Sequence, residues 1–288
     1  MRKLFMYFFL MGFGILMFSG CSIVDESSSS VSRTIGLGEE ALPIGRGSFG
    51  IEVSFKKIRM LDKIYVTEYE SYDEDDENEI SVTGSNTSDS YLYNDYTLRL
   101  GLTDLDELSL GLLAGSEGGT NTYSYSSGED TTTKKFECRT NLTGFKVGYK
   151  RLLSNPEKPL RVSMFVSLSR NSFDSTGQAA EYDAKSIETR AAILLGVQDD
   201  LHKRTSYPTL AIYHSSAHTE RNKSIPGISR EKHPQSIGAE MLYTLQLGPV
   251  YSSVTAGVES QIVGEDEIDA TQYHIGFKLG IKLGKRVQ

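Results

Sequence analysis

Beyond Gly45, apolar side chains fall on every second position of the chain in one segment after another. Phe49, Ile51, Val53 and Phe55 alternate with Gly50, Glu52 and Ser54, and Tyr96, Leu98, Leu100 and Leu102 alternate with Thr97, Arg99 and Gly101. Period-two patterning marks a strand with one apolar and one polar face. It predicts strands at about 49–55, 96–102, 108–114, 145–149, 160–168, 190–198, 207–216, 237–247, 250–258 and 273–283. In the seventh, Tyr207 to Ser216, the parity is ambiguous. Helical spacing is sustained nowhere, so the class is all-β, an antiparallel up-and-down arrangement of about ten strands.

The connections alternate in length. Short links fall at 103–107, 154–159, 199–206 and 248–249, and long polar ones at about 59–90, 116–143, 171–188, 217–236 and 260–270. Such alternation belongs to an even-stranded membrane barrel with tight turns on one side and long loops on the other. A soluble lipocalin-like barrel alternates too, with its apolar face inward. The polar face separates the two. It carries Gly50, Gly101, Gly111, Gly148, Gly196, Gly238, Gly257, Gly276, Gly280 and Gly284. Glycine weakens a strand and gains nothing on a wetted face. Inside a narrow barrel it leaves room for long side chains opposite. The apolar face is therefore expected to meet lipid, with tyrosines such as Tyr91, Tyr93, Tyr149, Tyr243, Tyr251 and Tyr273 as candidate interfacial girdles.

The first twenty residues read as a processing segment: Met1-Arg2-Lys3, an uncharged apolar run from Leu4 to Phe18, then Ser19-Gly20-Cys21. Fifteen apolar residues are short for a spanning helix. Phe18-Ser19-Gly20-Cys21 resembles the lipobox of bacterial lipoproteins, which implies acylation of Cys21. Residues 21–45, with Ser27 to Ser30 and few large apolar residues, read as a flexible tether. Residues 46–288 would then be the barrel domain.

The hairpin from Leu98 to Leu112 resembles hairpins of small bacterial outer-membrane β-barrel proteins, and the segment Tyr273 to Gly284 is similar to their closing strand. The resemblance implies short periplasmic turns, long outer loops and an N-terminus on the periplasmic side, with Cys21 in the inner leaflet.

Composition narrows the rest. A net charge of −8 argues against nucleic-acid partners, which favour a concentrated basic face. Of the two cysteines, lipidation consumes one and leaves Cys138 without a disulfide partner. No cofactor or phosphate-binding motif is present, and the acidic run Asp73 to Glu79 lacks the spacing of a calcium loop. His214 and His218 lie about 13 Å apart on a strand, too far to chelate one metal.

Candidate chemistry lies on the polar face. Glu52, Glu240 and Glu259 share it with Arg99, Lys146, Lys150, Arg161, Arg190, Lys278 and Lys282. Buried ions need partners or water, so a salt-bridged interior is expected. Any thread of water through it would favour anions because of the basic excess. Closing the last hairpin around Asp266 brings Glu259 near His274, and the preceding one brings His214 near Glu240 if strand seven has the required parity. Histidine beside a carboxylate can serve as an oriented base. Omptin proteases are ten-stranded barrels with acidic and histidine residues at the outer mouth, though their motifs do not match here residue by residue. The expectations are a lipid-anchored barrel with membrane lipid as partner and a structural, surface-interaction or narrow-pore role. The alternatives are a periplasmic binding lipoprotein and a mouth-sited hydrolase.

Overall fold

The computed structural model describes residues 37–60, 71–73, 76–127, 130–155, 158–177, 182–197, 205–221, 231–232, 235–262 and 270–284. They form twelve strands: β1 (Phe49–Met60), β2 (Ser71–Asp73), β3 (Asp76–Gly101), β4 (Asp106–Ser127), β5 (Asp130–Leu152), β6 (Leu160–Gly177), β7 (Tyr182–Val197), β8 (Thr205–Arg221), β9 (Glu231–Lys232), β10 (Gln235–Leu247), β11 (Val250–Ile262) and β12 (Ala270–Leu283). The short β2 and β9 pair with β3 and β8. The other strands run antiparallel in the order β1-β12-β11-β10-β8-β7-β6-β5-β4-β3. β1 also pairs with β3, from Phe49↔Leu100 to Ile58↔Tyr91, so the sheet closes as a ten-stranded barrel. Closure leaves none of these ten as an unpaired edge.

Polarity follows the glycine argument. Leu245, Leu279 and Ile281 are 38%, 45% and 48% exposed on the outer wall. Arg99, Glu52, Glu240 and Lys278 are buried inside. An apolar-lined cavity of the lipocalin kind is thereby ruled out. Two of the candidate girdle tyrosines are corrected: Tyr93 and Tyr251 face the lumen and are buried, whereas Tyr243 is exposed.

The long connections are shorter than the pattern implies. β4 and β5 stay paired from Asp106↔Arg151 to Ser127↔Asp130, which turns the expected loop at 116–143 into a tall hairpin. β3 likewise begins at Asp76. These extensions are mostly polar, rich in Ser, Thr and Asn with scattered Tyr and charged residues. Thr and Tyr favour strands, yet without an apolar face no period-two signal betrays them.

The start of the described chain departs most from the expected tether. Leu37 to Gly45 does not hang below the barrel. It runs inside the lumen, then reverses into β1 through a turn at 45–48, where the Ser48 amide donates to the Gly45 carbonyl at 3.2 Å. Gly45 and Gly47 hold φ of 85° and 67° there, a left-handed backbone that only glycine adopts freely. The turn docks on the end of β3: the Gly47 amide donates to Gly101 O at 3.0 Å and the Gly101 amide to Ser48 O at 2.9 Å. Polarity misled here, because Glu39 and Glu40 look like solvated linker until the cations opposite them are counted. Cys21, the processing segment and residues 22–36 lie outside the described residues.

Candidate functional site in the barrel lumen

The lumen is filled by the chain's own N-terminal segment, held by hydrogen bonds to the inward face of the wall. Four of its amides find side-chain acceptors on four strands or their links. Ile44 donates to Glu107 Oε2 at 2.8 Å, Ala41 to Thr209 Oγ1 at 3.3 Å, Gly38 to Glu240 Oε1 at 2.5 Å and Arg46 to Asp104 Oδ1 at 3.2 Å. The carbonyls of Ala41, Leu42 and Gly38 accept from Ser163 Oγ, Arg99 Nη2 and Lys278 Nζ at 2.5, 3.3 and 2.9 Å. An extended segment without secondary structure must place its backbone groups somewhere, and here the wall supplies the partners. Its apolar side chains, Leu37 and Ala41, pack against Phe165, Ala192, Leu194 and Ala211 of β6, β7 and β8.

Its two glutamates complete an ion network. Glu39 lies 3.0 Å from Lys150 Nζ. Glu40 accepts from the Tyr207 hydroxyl at 2.7 Å and from Thr244 at 3.2 Å, with Lys278 and Arg99 at 3.7 and 3.6 Å. Arg99 stands at the centre and is 1% exposed. Its guanidinium forks onto Glu107, Nε to Oε1 and Nη2 to Oε2, both at 2.7 Å, and reaches Glu52 through Nη1 at 2.6 Å. Bidentate charge-assisted bonds of this kind are among the strongest a side chain makes. Further up, Lys146 pairs with Asp95 at 2.6 Å and Arg190 with Glu188 at 2.7 Å. They flank a cavity of about 20 Å³, room for a single water.

All the cations read from the polar face point inward, as do Glu52, Glu240 and Glu259. The basic excess does not survive. Glu39, Glu40, Asp95, Glu107 and Glu188 also face the lumen, and with Lys56 they bring the charges to balance. Glu107 was hidden because the pattern placed it in a turn, and the plug glutamates because they look like linker. A spacing within the strand could have revealed Glu107, which has the parity of Ser109 and Gly111; no local signal marks Glu39 and Glu40.

The proposed histidine–carboxylate pairs rearrange. His274 is inward-facing, but it meets Glu240 and not Glu259: Nε2 and Oε2 are 2.8 Å apart. Glu259 instead accepts from the Tyr213 hydroxyl at 3.0 Å and from Ser236. His214 lies on the outer wall, exposed, between Ile237 and Ala191 in register. Strand seven therefore has the opposite parity to the one that pairing needed. Leu210 and Ile212 take the outward positions and send Tyr213 and Ser215 inward. The side chains of His274 and Glu240 are 2% and 1% exposed, so this pair is closed to a substrate at the mouth.

Inward glycines make these contacts possible. Glu240, Gly257 and His274 stand in one cross-strand row, as do Glu259, Gly238 and Tyr213, and Glu52, Gly280 and Tyr251. In each row an aromatic ring lies over the glycine and reaches the glutamate two strands away. A Cβ on Gly257, Gly238 or Gly280 would stand 2.4, 2.2 or 2.2 Å from the ring above it.

No protein-family model matches this chain, and no curated protein matches it in sequence. Among solved structures it is similar to the β domain of the Bordetella autotransporter BrkA, at 10% identity over 81% of this chain and 98% of that one, with a TM-score of 0.42. It is also similar to the outer membrane protein OprG from Pseudomonas aeruginosa, at 12% identity, 86% and 100% coverage and a TM-score of 0.36. A third is the outer membrane protease OmpT from Escherichia coli, at 10% identity, 82% and 96% coverage and a TM-score of 0.37. These likenesses are distant, and the barrel assignment stands on the strand pairing itself.

Proposed function

We propose that this protein is an outer-membrane β-barrel, lipid-anchored through Cys21, whose lumen is closed by its own N-terminal segment. Its role is structural or surface-interacting; conduction would require the plug to leave. The observation that carries the membrane reading is the inverted polarity of the wall. From Ile237 to Leu247 on β10 the outward positions are isoleucine, alanine, methionine, tyrosine and leucine, and from Tyr273 to Leu283 on β12 they are tyrosine, isoleucine, phenylalanine and leucine; between and beside them the band is interrupted by Ser252 on β11 and by Pro208 and His214 on β8. Ten residues at about 3.3 Å each, tilted by about 40°, make a band roughly 25 Å tall, the height of an outer-membrane apolar belt. In water such an apolar surface is an aggregation liability.

The tall β3–β4–β5 wall on the side away from the short turns is the natural contact surface, since exposed segments on a rigid scaffold carry recognition. Against a pore stand the occupied lumen and the balanced charges. Against a mouth hydrolase stands the burial of the His274–Glu240 pair.

A Cys21→Ser variant, which no longer accepts a lipid, tests insertion apart from anchoring. It is expected to stay with the membrane fraction through alkaline carbonate washing and to migrate differently on gels before and after boiling. Release into the wash would sink the membrane reading.

A further inference from the structure

The outside of the wall holds a groove that the plug and its ion network do not use. Two outward rows of side chains cross the barrel side by side. Val53, Tyr96, Leu112 and Phe145 stand in register on β1, β3, β4 and β5, and the next row down runs from Ile51 to Val147. Between the rows lies an open groove of about 480 Å³, with Thr97, Gly111 and Lys146 of the intervening inward row at its floor. That is the size of a small-molecule site.

The groove ends beside a cation. The upper row continues from Phe145 onto Arg170 of β6, while the lower one continues from Val147 onto Leu168. Arg170 stands ten residues above Leu160, about 25 Å up the wall at 3.3 Å per residue and a 40° tilt. That is the upper edge of the apolar band. Lys185 of β7 is its diagonal neighbour, since Arg170 pairs with Ile187 and Lys185 with Ser172. Both cations are exposed. At the same level β10, β11 and β12 present Gln235, Ser260 and Thr271, so the cations belong to one sector of the wall.

We propose that this sector binds one phosphate-bearing lipid, its phosphate on Arg170 and Lys185 and one acyl chain in the groove. The site rests on the membrane-barrel reading. Arginine's planar fork matches the oxygens of a phosphate, and basic clusters at a membrane boundary recognise charged headgroups. From β6 to β1 the groove crosses four strand spacings, about 19 Å at 4.8 Å each. A leaflet is about 15 Å deep, and the rows slope with the strand tilt, so a chain lying along the groove descends from the boundary into hydrocarbon. The carboxylates nearby favour a lipid over a free anion. Asp174 lies four residues beyond Arg170, and Glu220 is in register with Lys185 on its far side. They repel an anion arriving from water, whereas a phosphate held at the band edge meets Arg170 first.

The test uses the full chain in uncharged maltoside micelles, titrated with a phosphatidic acid that carries a fluorescent acyl chain. Saturable binding is expected. Replacing both cations, Arg170→Ala with Lys185→Ala, should weaken it at least tenfold. Leu112→Trp, which fills the groove and leaves the cations in place, should weaken it at least fivefold. Lys158→Ala removes an exposed cation at the opposite rim and should stay within twofold of the wild type. A diacylglycerol with the same chains should bind at least tenfold more weakly. A signal that never saturates, or that the double replacement leaves unchanged, overturns the site. Displacement by inorganic phosphate as effective as that by unlabelled phosphatidic acid, with Leu112→Trp unchanged, would replace the lipid with a free anion and overturns it too. Heat-modifiable migration checks that each variant is folded, and Arg170→Ala alone serves should the double replacement fail that check. The carbonate wash decides the membrane reading separately: a protein that survives it but binds the lipid without saturation keeps its barrel and loses this site.

Discussion

His274 of β12 and Glu240 of β10 meet across a strand to which neither belongs, 2.8 Å apart above Gly257 of β11. In a flat sheet the intervening side chain would separate them. The barrel removes it, and the same device recurs with Tyr213 over Gly238 and Tyr251 over Gly280. Each ring covers a glycine whose own contribution to the strand is poor, which is the known remedy for glycine in a sheet. Each ring also carries a donor to a glutamate that would otherwise be buried with fewer partners. The glycines of the polar face are thus seats for cross-lumen contacts.

Gly257→Ala should therefore destabilise the barrel. The new methyl meets the imidazole at 2.4 Å, and forcing an extra carbon into a packed site costs about 1–3 kcal/mol. Urea unfolding in detergent micelles is the measurement. Because the clash is with one ring, Gly257→Ala combined with His274→Ala should cost clearly less than the two single changes summed. Additive effects would mean that His274 does not lie over Gly257.

Arg99 is shared by Glu107, Glu52 and the plug carbonyl of Leu42. Removing its charge in Arg99→Met strands buried carboxylates, a loss of about 3–5 kcal/mol. Arg99→Lys keeps the charge and loses the fork, so it should fall between the two rather than match the wild type. Gel-shift melting temperature ranks the three proteins. An Arg99→Lys variant as stable as the wild type would show that the bidentate geometry adds nothing.

Most of the wall was legible in the sequence, and the plug was not. Period-two alternation locates a strand wherever one face is apolar and the other polar, which is why Leu279 and Ile281 announce their orientation unaided. The same signal is silent for 116–127, where the sequence has no aliphatic residue at either parity although the strand is paired. It also misplaced Glu107 by starting that strand at Leu108, two residues after Asp106. His214 failed for another reason: Tyr207 to Ser216 has acceptable residues at both parities, and only packing of Leu210 and Ile212 outward decides. For Glu39 and Glu40 the deciding facts are long-range, since their partners Lys150, Tyr207 and Lys278 lie more than a hundred residues away.

Depth along the wall should govern the effect of an outward charge. Leu279→Lys, near the middle of the apolar band, should cost about 2–4 kcal/mol in vesicles, and Val250→Lys at the short-turn rim about 0–1. Both positions are similarly exposed, at 45% and 46%, so in water they would be equivalent. Equal, small effects for the two would contradict a lipid-facing wall.

Deleting residues 37–45 while keeping the rest of the chain separates the plug from the wall. The intact protein is expected to be silent in a planar bilayer, because the lumen is occupied and its charges are paired. The deletion should conduct, and its ion preference follows from what leaves with the plug. Without Glu39 and Glu40, the inward cations Lys56, Arg99, Lys146, Lys150, Arg161, Arg190, Lys278 and Lys282 outnumber the remaining wall carboxylates. The opened lumen should then prefer anions, seen as the sign of the reversal potential in a salt gradient. Gly101→Val offers the same test without a deletion, since any Cβ there collides with the Gly45 carbonyl oxygen and should lift the turn that seats the plug. A cation-selective current from the deletion would place other charges in control of the passage. A silent deletion that still shows heat-modifiable migration would mean that the wall closes without its plug.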